Sequence, residues 1–507
     1  MTKVQDTEPV EPAPAVHSAP CLGALRRLLD LLEAEGIGYC HWKSNEHLEA
    51  AMTGATDLDV LVDRHRSRDL QRILNAAGFK RFEPTRPNGY PAMEDYLGFD
   101  DETGSLIHLH LHYELTLGER RLKGYRLPWE KQILATRLHQ APAGIFVTEP
   151  NMEMLLLIVR AALKLRLRDY LRAFSPLSKV SADLQREFAW LKERTSADQV
   201  CAIAGELLGS RSIPAMREIL EHGPSLGRTV RLRRTARHVL SEYRTYRSMA
   251  GRCTRWLREL EYVWSGVSAR YLNRPVPFKR TLPEGGLVIA FAGSDGSGKS
   301  TVTARIASWL AWKTEPYCVY FGSGQGRSSL MRAPLLAVHR ASTKVKPPDP
   351  STSQRGWLRS KLRLIWGLVL AQEKRSKLRC AWRARNHGMI VICDRYPQNE
   401  VLGFNDGPLC AEWQTHRSAL LRALARWERS PYAWAEQNPP DLVLKLDVSE
   451  SVALERKPDM TLEELHKRVE TVRGLRFGRD VKTVHVNADE PLEHVLLRVK
   501  RLIWAEI

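Results

Sequence analysis

The 507-residue sequence lacks several features that would place a chain outside the ordinary globular proteins. No stretch approaches the roughly 18 consecutive apolar residues of a membrane-spanning helix. The first residues are rich in proline, alanine and acids, without the basic and then apolar pattern of a secretion signal. None of the eight cysteines lies in a CxxC pair, so neither a zinc site nor a disulfide framework is indicated. We therefore expect a cytoplasmic protein with a disordered lead at residues 1–21.

Acidic residues are also in short supply relative to basic ones. The chain has 77 Lys and Arg against 58 Asp and Glu, which gives a net charge of +19. Such a surplus favours an anionic partner, such as nucleotide phosphates, nucleic acid, an acidic glycan or a lipid surface, and does not choose among them. At about 150 residues per domain, the length suggests roughly three folded units.

The residue pattern changes along the chain in a way that divides it into blocks. Residues 22–150 mix helical and strand-like segments, which indicates an α+β domain. Residues 151–271 read as helices rich in arginine, a basic helical connector, and a turn-rich linker follows at 272–285. In residues 286–507 short apolar strands alternate with helical patterns, which predicts a three-layer α/β/α domain with a parallel sheet.

The most specific motif is a GxxxxGK[ST] loop between a predicted strand, Leu287–Ala292, and an amphipathic helix. Its glycines allow successive backbone N–H groups to point at phosphate oxygens, and the helix N-terminus adds partial positive charge. Lys299 can bridge the β- and γ-phosphates of ATP, and the Ser300 hydroxyl can bind Mg²⁺. The residues predicted to bind the nucleotide are Gly293, Ser294, Asp295, Gly296, Ser297, Gly298, Lys299, Ser300 and Thr301.

A second buried strand is predicted at Met389–Cys393, and it ends in Asp394-Arg395-Tyr396. Strands of a parallel sheet end at the ligand crevice, so Asp394 and Arg395 should emerge beside the loop. A carboxylate there can hold the metal or its water, and an arginine can grip a phosphate. We therefore predict that Lys299, Asp394 and Arg395 are catalytic and that Ser300 and Asp394 bind the metal. Further strands are expected at Asp441–Val448 and Thr483–Val486.

Together these segments resemble thymidylate kinases over roughly residues 286–507. The resemblance implies a P-loop kinase that uses ATP and Mg²⁺, with Asp295 near the acceptor and Arg395 on the acceptor phosphate. It also implies a catalytic cation in a lid, which points to Arg456 and then to Lys457 or Arg468. The adenine loop would map to residues 487–489. Thymidylate kinases commonly dimerise, which suggests a homodimer.

The sequence departs from that family in the segments that would bind the acceptor. Residues 397–408 replace the segment that reads thymine, and residues 321–327 replace an Arg-Glu-Pro-Gly-Gly loop. The helix arginine that holds the acceptor has only Lys374 or Arg375 as candidates. The expected acceptor is therefore a nucleoside monophosphate or another small phosphorylated or hydroxyl compound.

In the first block, Ser44 is followed at a short distance by Asp57 and Asp59, which share one face of a predicted strand. Two neighbouring carboxylates can hold a divalent cation. This spacing resembles the nucleotidyltransferase fold over residues 40–115, with a metal at Asp57 and Asp59. Lys43 stands where that family has glycine. Where that family has a third acidic residue, this sequence has His108, His110 and His112. These histidines are either metal ligands, a replacement for the missing acid, or a polar, partly exposed face of the strand.

The helical middle contains many arginines, with Tyr243, Tyr246, Trp256, Tyr262 and Trp264 interleaved. It is either a surface for a polyanion or an anionic membrane, or a solvated helix face with its aromatics packed inward, which we favour. Three alternatives to a nucleotide kinase stay open. They are a nucleotidyltransferase acting through Asp57 and Asp59, a non-catalytic ATP-binding switch, and a kinase for a non-nucleotide compound.

Overall fold

The computed structural model describes residues 21–141, 143–166, 181–272, 274–322, 353–402, 407–458, 461–478 and 480–507. The predicted disordered lead lies outside these ranges except for its last residue, and so do parts of the segments at 321–327 and 397–408. The chain forms two compact units. The first consists of the residues up to Phe79 with Tyr90–Arg252, and the second of Lys80–Gly89 with Cys253–Ile507. The predicted domain boundaries stay predictions.

The regular elements are numbered along the chain. The strands are β1 Tyr39–His41, β2 Leu58–Val62, β3 Lys80–Pro84, β4 Met93–Phe99, β5 Leu106–His112, β6 Leu115–Leu117, β7 Tyr125–Leu127, β8 Leu138–Gln140, β9 Ile145–Val147, β10 Arg280–Thr281, β11 Leu287–Gly293, β12 Tyr317–Tyr320, β13 Ile390–Asp394, β14 Leu442–Asp447 and β15 Lys482–Asn487. The helices are α1 Gly23–Ala34, α2 Leu48–Met52, α3 Ser67–Ala76, α4 Glu130–Thr136, α5 Pro150–Lys164, α6 Ala182–Lys192, α7 Ala197–Leu208, α8 Ile213–His222, α9 Leu226–Glu242, α10 Ser248–Tyr271, α11 Lys299–Ala311, α12 Ser353–Asn386, α13 Ala419–Gln437, α14 Glu450–Arg456, α15 Leu462–Gly474 and α16 Leu492–Glu506.

A mixed sheet lies at the centre of the first unit, where six strands follow the order β4-β5-β2-β1-β9-β8. β2 runs parallel to β5, and β1 runs antiparallel to β2. The register places Asp59 of β2 opposite His110 of β5, which in turn pairs with Asp95 of β4. The polar side chains of three adjacent strands are therefore neighbours in this sheet.

Two apolar clusters hold the first unit together. One joins α1 and α3 to the sheet and includes Leu25, Leu28 and Ile73. The other joins the sheet to α5–α9 and includes Trp42 and Leu155. α5 is buried around most of its circumference, so its residues belong to the core. The helices that follow it also pack in this cluster, as far along the chain as Leu240.

The described strands at the centre of the second unit form a five-stranded parallel sheet with the order β12-β13-β11-β14-β15. β11 lies in the middle, and the strands that follow it are added on both of its sides. The carboxyl end of β11 is therefore at the topological switch point, where open α/β sheets bind ligands. The α/β fold predicted for this part of the chain is confirmed.

Helices cover the parallel sheet. Residues of α12, α13 and α15 join one apolar cluster with Val288 and Ala290. Ile289 and Phe291 alternate with these residues along β11, so they face the opposite side of the sheet. The helices α11 and α16 pack against each other and against neighbouring strands. At the amino ends of the strands, Arg385 donates to both carboxylate oxygens of Asp441 at 3.0 and 2.9 Å.

Several expectations from the sequence can be compared with this fold. The strands expected around residues 287, 389, 441 and 483 are confirmed as β11, β13, β14 and β15, and all eight cysteines are free. The expectation that the aromatics of the helical middle pack inward is wrong for Trp256 and Trp264. These side chains are 58% and 63% exposed, because they lie on a solvent-facing stripe of α10. Within the described ranges, none of the helices combines the length and apolar character that crossing a bilayer requires.

Candidate functional site

The loop between β11 and α11 has a backbone that depends on its glycines. Gly296 and Gly298 adopt φ of 85° and 75°, in the left-handed region that side chains disfavour. A Cβ on Gly296 would lie 2.8 Å from the carbonyl oxygen of Ala453 in α14, and one on Gly293 would lie 2.5 Å from Ser297 Oγ. The backbone can therefore adopt this close arrangement only without side chains, as a phosphate-binding loop requires.

Lys299 begins α11 and lies next to the end of β13. The register pairs Phe291 with Asp394, so the carboxyl ends of β11 and β13 are adjacent. Lys299 is 7% exposed, and its Nζ lies 3.9 Å from Asp394 Oδ1. Ser300 and Thr301 are exposed in the first turn of α11. A buried ammonium, a carboxylate and a hydroxyl are thus gathered at a helix N-terminus, where anions are stabilised.

Asp295 lies in the loop within reach of three cations from different elements. Its Oδ1 is 3.9 Å from Arg395 Nη2 and 3.8 Å from Lys457 Nζ. The guanidinium of Arg468 contacts its other oxygen. Burial pushes the pKa of Asp295 up, but these three cations and Lys299 outweigh burial, so the pKa lies below its ordinary value. Asp295 therefore stays a carboxylate at neutral pH, and its negative charge holds these cationic side chains beside the loop.

Arg395 has a backbone that is uncommon for a side chain of its size. Its φ is 67°, and its N–H donates to the carbonyl of Phe291 at 3.0 Å. A left-handed conformation at a residue other than glycine costs of order 1 kcal/mol or more and is found disproportionately at functional sites. Here it turns the chain sharply where β13 ends, beside Asp295.

Arg456 ends α14 and binds backbone rather than a carboxylate. Its Nη1 donates to the carbonyl of Gly296 at 3.3 Å, and its Nη2 donates to the carbonyl of Ala488 at 3.2 Å. It therefore connects the glycine loop to residues 487–489, the segment that the sequence predicts as an adenine loop. Lys457 and Arg468, the other predicted lid cations, both lie near Asp295.

The two candidates for an acceptor-holding cation on α12 have other partners. Lys374 is buried, with its Nζ 5.2 Å from the ring centre of Tyr432. Arg375 contacts Ser430 Oγ and lies over the ring of Trp427. Both side chains therefore contact α13. A small cavity of about 30 Å³ does lie beside Arg395 and Gly293.

In the first unit, Asp57 and Asp59 engage different partners. Asp59 Oδ1 lies 2.8 Å from Lys43 Nζ, 3.1 Å from His110 Nδ1 and 3.3 Å from His112 Nε2. Burial would raise the pKa of Asp59, but Lys43 and the two histidines lower it well below the ordinary value. Asp57 Oδ1 lies 2.8 Å from His108 Nδ1, and the Nε2 of that ring lies 2.7 Å from Asp95.

This cluster also bears on the predicted metal site. One ligand atom from each of Asp59, His110 and His112 lies within 4.8 Å of the others, which is close enough for one ion. Asp57 does not belong to that group. His108 and His112 are buried, so they do not form the partly exposed strand face that was one alternative. Lys43, which replaces the expected glycine, brings a positive charge to the carboxylate.

The five-stranded parallel sheet, with a glycine loop and a helix N-terminus at its switch point, defines the second unit as a P-loop α/β domain. No protein-family model matches the chain. It is 30% identical over 228 residues to the uncharacterized ATP-binding protein YghS of Escherichia coli (strain K12), which covers 43% of this chain and 93% of YghS. The chain belongs to the family of YghS.

Further similarities were found among curated proteins and solved structures. The uncharacterized ATP-binding protein YghR of the same strain is 28% identical over 227 residues, 43% of this chain and 86% of YghR. Solved structures of a deoxyadenosine kinase from M. mycoides with bound dATP and a thymidylate kinase from Ehrlichia chaffeensis are each 16% identical. Each alignment covers 43% of this chain and 99% of the solved one, with a TM-score of 0.24.

The close approach of α14 to the loop can be tested at Gly296. We expect Gly296→Ala to lower the free energy of unfolding of the second unit by about 1–3 kcal/mol, because the residue has a positive φ and its Cβ would collide with the Ala453 carbonyl. Urea unfolding measures the change. Gly474→Ala is the matched control, since its Cβ would meet no atom within 4 Å. Equal stability of the two variants would contradict the described loop geometry.

Proposed function

We propose that the second unit transfers the γ-phosphate of ATP to a small acceptor that carries a phosphate or hydroxyl group. The observation that carries the proposal is the pairing of Lys299 with Asp394 directly beside the glycine loop. The description of YghS and YghR as ATP-binding proteins supports the nucleotide half of the proposal. The acceptor half rests on the cations around Asp295.

The residues divide the work of phosphoryl transfer by position. The N–H groups of the loop and the ammonium of Lys299 would hold the β- and γ-phosphates, which fixes the transferred group for in-line attack. The glycine backbone fits this role because a Cβ would fill the space beside it. Ser300 and Asp394 are the side chains that would hold Mg²⁺. Bound Mg²⁺ supplies charge neutralisation at the phosphate oxygens.

The acceptor would approach from the side of Arg395. Arg395, Lys457 and Arg468 carry three positive charges around the single negative charge of Asp295, so an added phosphate would complete the charge balance. Arg456, predicted as the catalytic cation, already donates to two backbone carbonyls. We assign it the positioning of the loop, and we assign the charge in the transition state to Lys457 and Arg468. Cytoplasmic location and a homodimer stay predictions.

The central prediction concerns Lys299. We expect Lys299→Ala to reduce γ-phosphate transfer at least 100-fold, because the ammonium would contact the phosphates in the transition state. Transfer from γ-labelled ATP is measured with dTMP, other nucleoside monophosphates, sugar phosphates and unphosphorylated sugars as acceptors. Lys482→Ala is the control, since Lys482 is exposed at the amino end of the edge strand β15, whereas the site lies at the carboxyl ends of β11 and β13. Unchanged turnover in Lys299→Ala would contradict the role assigned to Lys299. If the unaltered protein binds ATP but transfers phosphate to none of these acceptors, the non-catalytic ATP-binding switch would be favoured.

A second candidate function lies in the first unit. The proximity of Asp59 to His110 and His112 supports a metal-dependent nucleotidyltransferase, in which these three side chains would bind the ion. Asp57, the other predicted ligand, pairs with His108 instead. The 2.8 Å ion pair with Lys43 works against it, because an ammonium already neutralises the Asp59 carboxylate.

The two candidate functions are separated by the position of the label. If the first unit is a nucleotidyltransferase, Asp57→Ala combined with Asp59→Ala should abolish incorporation from α-labelled NTP while transfer of the γ-phosphate continues. Circular dichroism checks that the double variant is folded. Incorporation that persists in the folded double variant would rule out these two carboxylates as its catalytic groups.

A further inference from the structure

A cavity of about 460 Å³ lies within the first unit. It is bounded by the turn that follows β1, which contains Ser44 and Glu46, and by facing residues of α5 and α6. Its volume falls within the range of small-molecule sites. Leu157, Ala161 and Leu184 supply an apolar wall, so the cavity has both an apolar and a charged side.

Arg160 of α5 is the central charged residue of this cavity. It is only 9% exposed, and its Nη1 is buried without a hydrogen-bond partner among the described residues. Its Nη2 lies 3.5 Å from Glu187 Oε2, and its guanidinium lies 5.7 Å from the ring centre of Trp42. A buried, charged N–H donor without an acceptor is costly, and native proteins rarely retain one without a reason. A ligand oxygen would supply the missing acceptor.

Other cations lie near Arg160. Lys164 follows it by one helical turn and lines the same cavity. Lys43 precedes Ser44, and its Nζ lies 5.1 Å from the ring of Trp42. Burial lowers the pKa of Lys123 to about 7, and repulsion from Lys43, Lys164 and Arg160 adds to that effect. Arg160, Lys164 and Lys43 therefore repel one another here, while Glu46, Asp183 and Glu187 of the cavity lining and Asp59 beside Lys43 offset their charge.

We propose that this cavity binds the phosphate group of a small phosphorylated compound, with Arg160 and Lys164 as its principal ligands. A phosphate suits the site because a guanidinium can donate two parallel hydrogen bonds to it. The carboxylates of Glu46 and Glu187 and the hydroxyl of Ser44 lie in the same wall and can bind sugar hydroxyls. Sugar phosphates and nucleoside monophosphates share this chemistry.

The proposal does not depend on the phosphotransferase assigned to the second unit, because the described residues that line the cavity all belong to the first. Asp59, the candidate metal ligand, is not among the described residues that line the cavity, so metal binding there has a separate test. A negative result for the phosphotransferase or for the metal site would therefore not contradict phosphate binding in this cavity.

The experiment measures binding of inorganic pyrophosphate to the full-length chain by calorimetry. It uses a Lys299→Ala background that also carries Arg395→Ala, so that both the glycine loop and the proposed acceptor site of the second unit bind phosphate less well. We expect binding in this background, and at least a tenfold loss when Arg160→Gln is added. Arg217→Gln on α8 is the matched control, since its guanidinium is exposed and pairs only at the surface with Asp198. It should leave binding unchanged.

Removal of Arg160 leaves the buried carboxylate of Glu187 with the Ser44 hydroxyl but without the cation that pairs with it, and this would destabilise the unit by itself. Arg160→Gln with Glu187→Gln restores neutrality, and circular dichroism confirms that it is folded. This double variant should also lose binding. Full pyrophosphate affinity in the folded double variant, or no binding in the Lys299→Ala, Arg395→Ala background, would overturn the proposal.

The same background separates the two sources of phosphate. Glucose 1-phosphate and AMP are titrated in parallel, each with Arg160→Gln as its comparison. Tighter binding of the sugar phosphate would assign the apolar and carboxylate walls to a sugar, and tighter binding of AMP would assign them to a nucleoside. Binding of both that is insensitive to Arg160→Gln would overturn the proposal.

Discussion

The contact between α14 and the backbone of Gly296 constrains the whole site of the second unit. There is no room for a side chain at Gly296, because Ala453 occupies the space that a Cβ would need. From the same short helix, Arg456 donates to the Gly296 carbonyl and to the Ala488 carbonyl. The glycine loop, the end of β14 and the segment after β15 are therefore held together by one helix end.

The charges at this edge follow from that arrangement. Lys299 begins the helix that the loop leads into, and β13 places Asp394 beside it. Asp295 projects from the loop toward Arg395, Lys457 and Arg468, which come from β13, the end of α14 and α15. One carboxylate among three cations leaves a net positive site, suited to bind two phosphorylated groups that repel each other in water. The proposed phosphotransferase uses this excess of positive charge.

Much of this site could be predicted from the sequence because its elements are local. The glycine loop, its preceding strand and its following helix lie within 25 residues, and Asp394 and Arg395 follow directly from a strand end. The role of Arg456 could not be predicted in the same way. Its partner Gly296 is 160 residues away in the chain, and only the packing of α14 shows that a backbone carbonyl binds the guanidinium.

In the first unit, too, local features could be predicted from the sequence and contacts between distant residues could not. The strand that carries Asp59 was predictable from its alternation, but it begins at Leu58, so Asp57 lies just before it. Arg160, however, lies in an apolar helix that reads as ordinary core, and its partner Glu187 and neighbour Trp42 are far from it in sequence. No periodicity marks such a residue. The exposed Trp256 and Trp264 were mispredicted for a related reason, since an apolar stripe on a helix does not show whether another element covers it.

Amide hydrogen exchange with and without ATP and Mg²⁺ tests the central claim most directly, because it reports where the nucleotide binds without assuming an acceptor. The account predicts slower exchange at residues 293–303 and around Asp394 when ATP and Mg²⁺ are added. It predicts no such change in Lys299→Ala. Protection by ATP that leaves the glycine loop unaffected would contradict it.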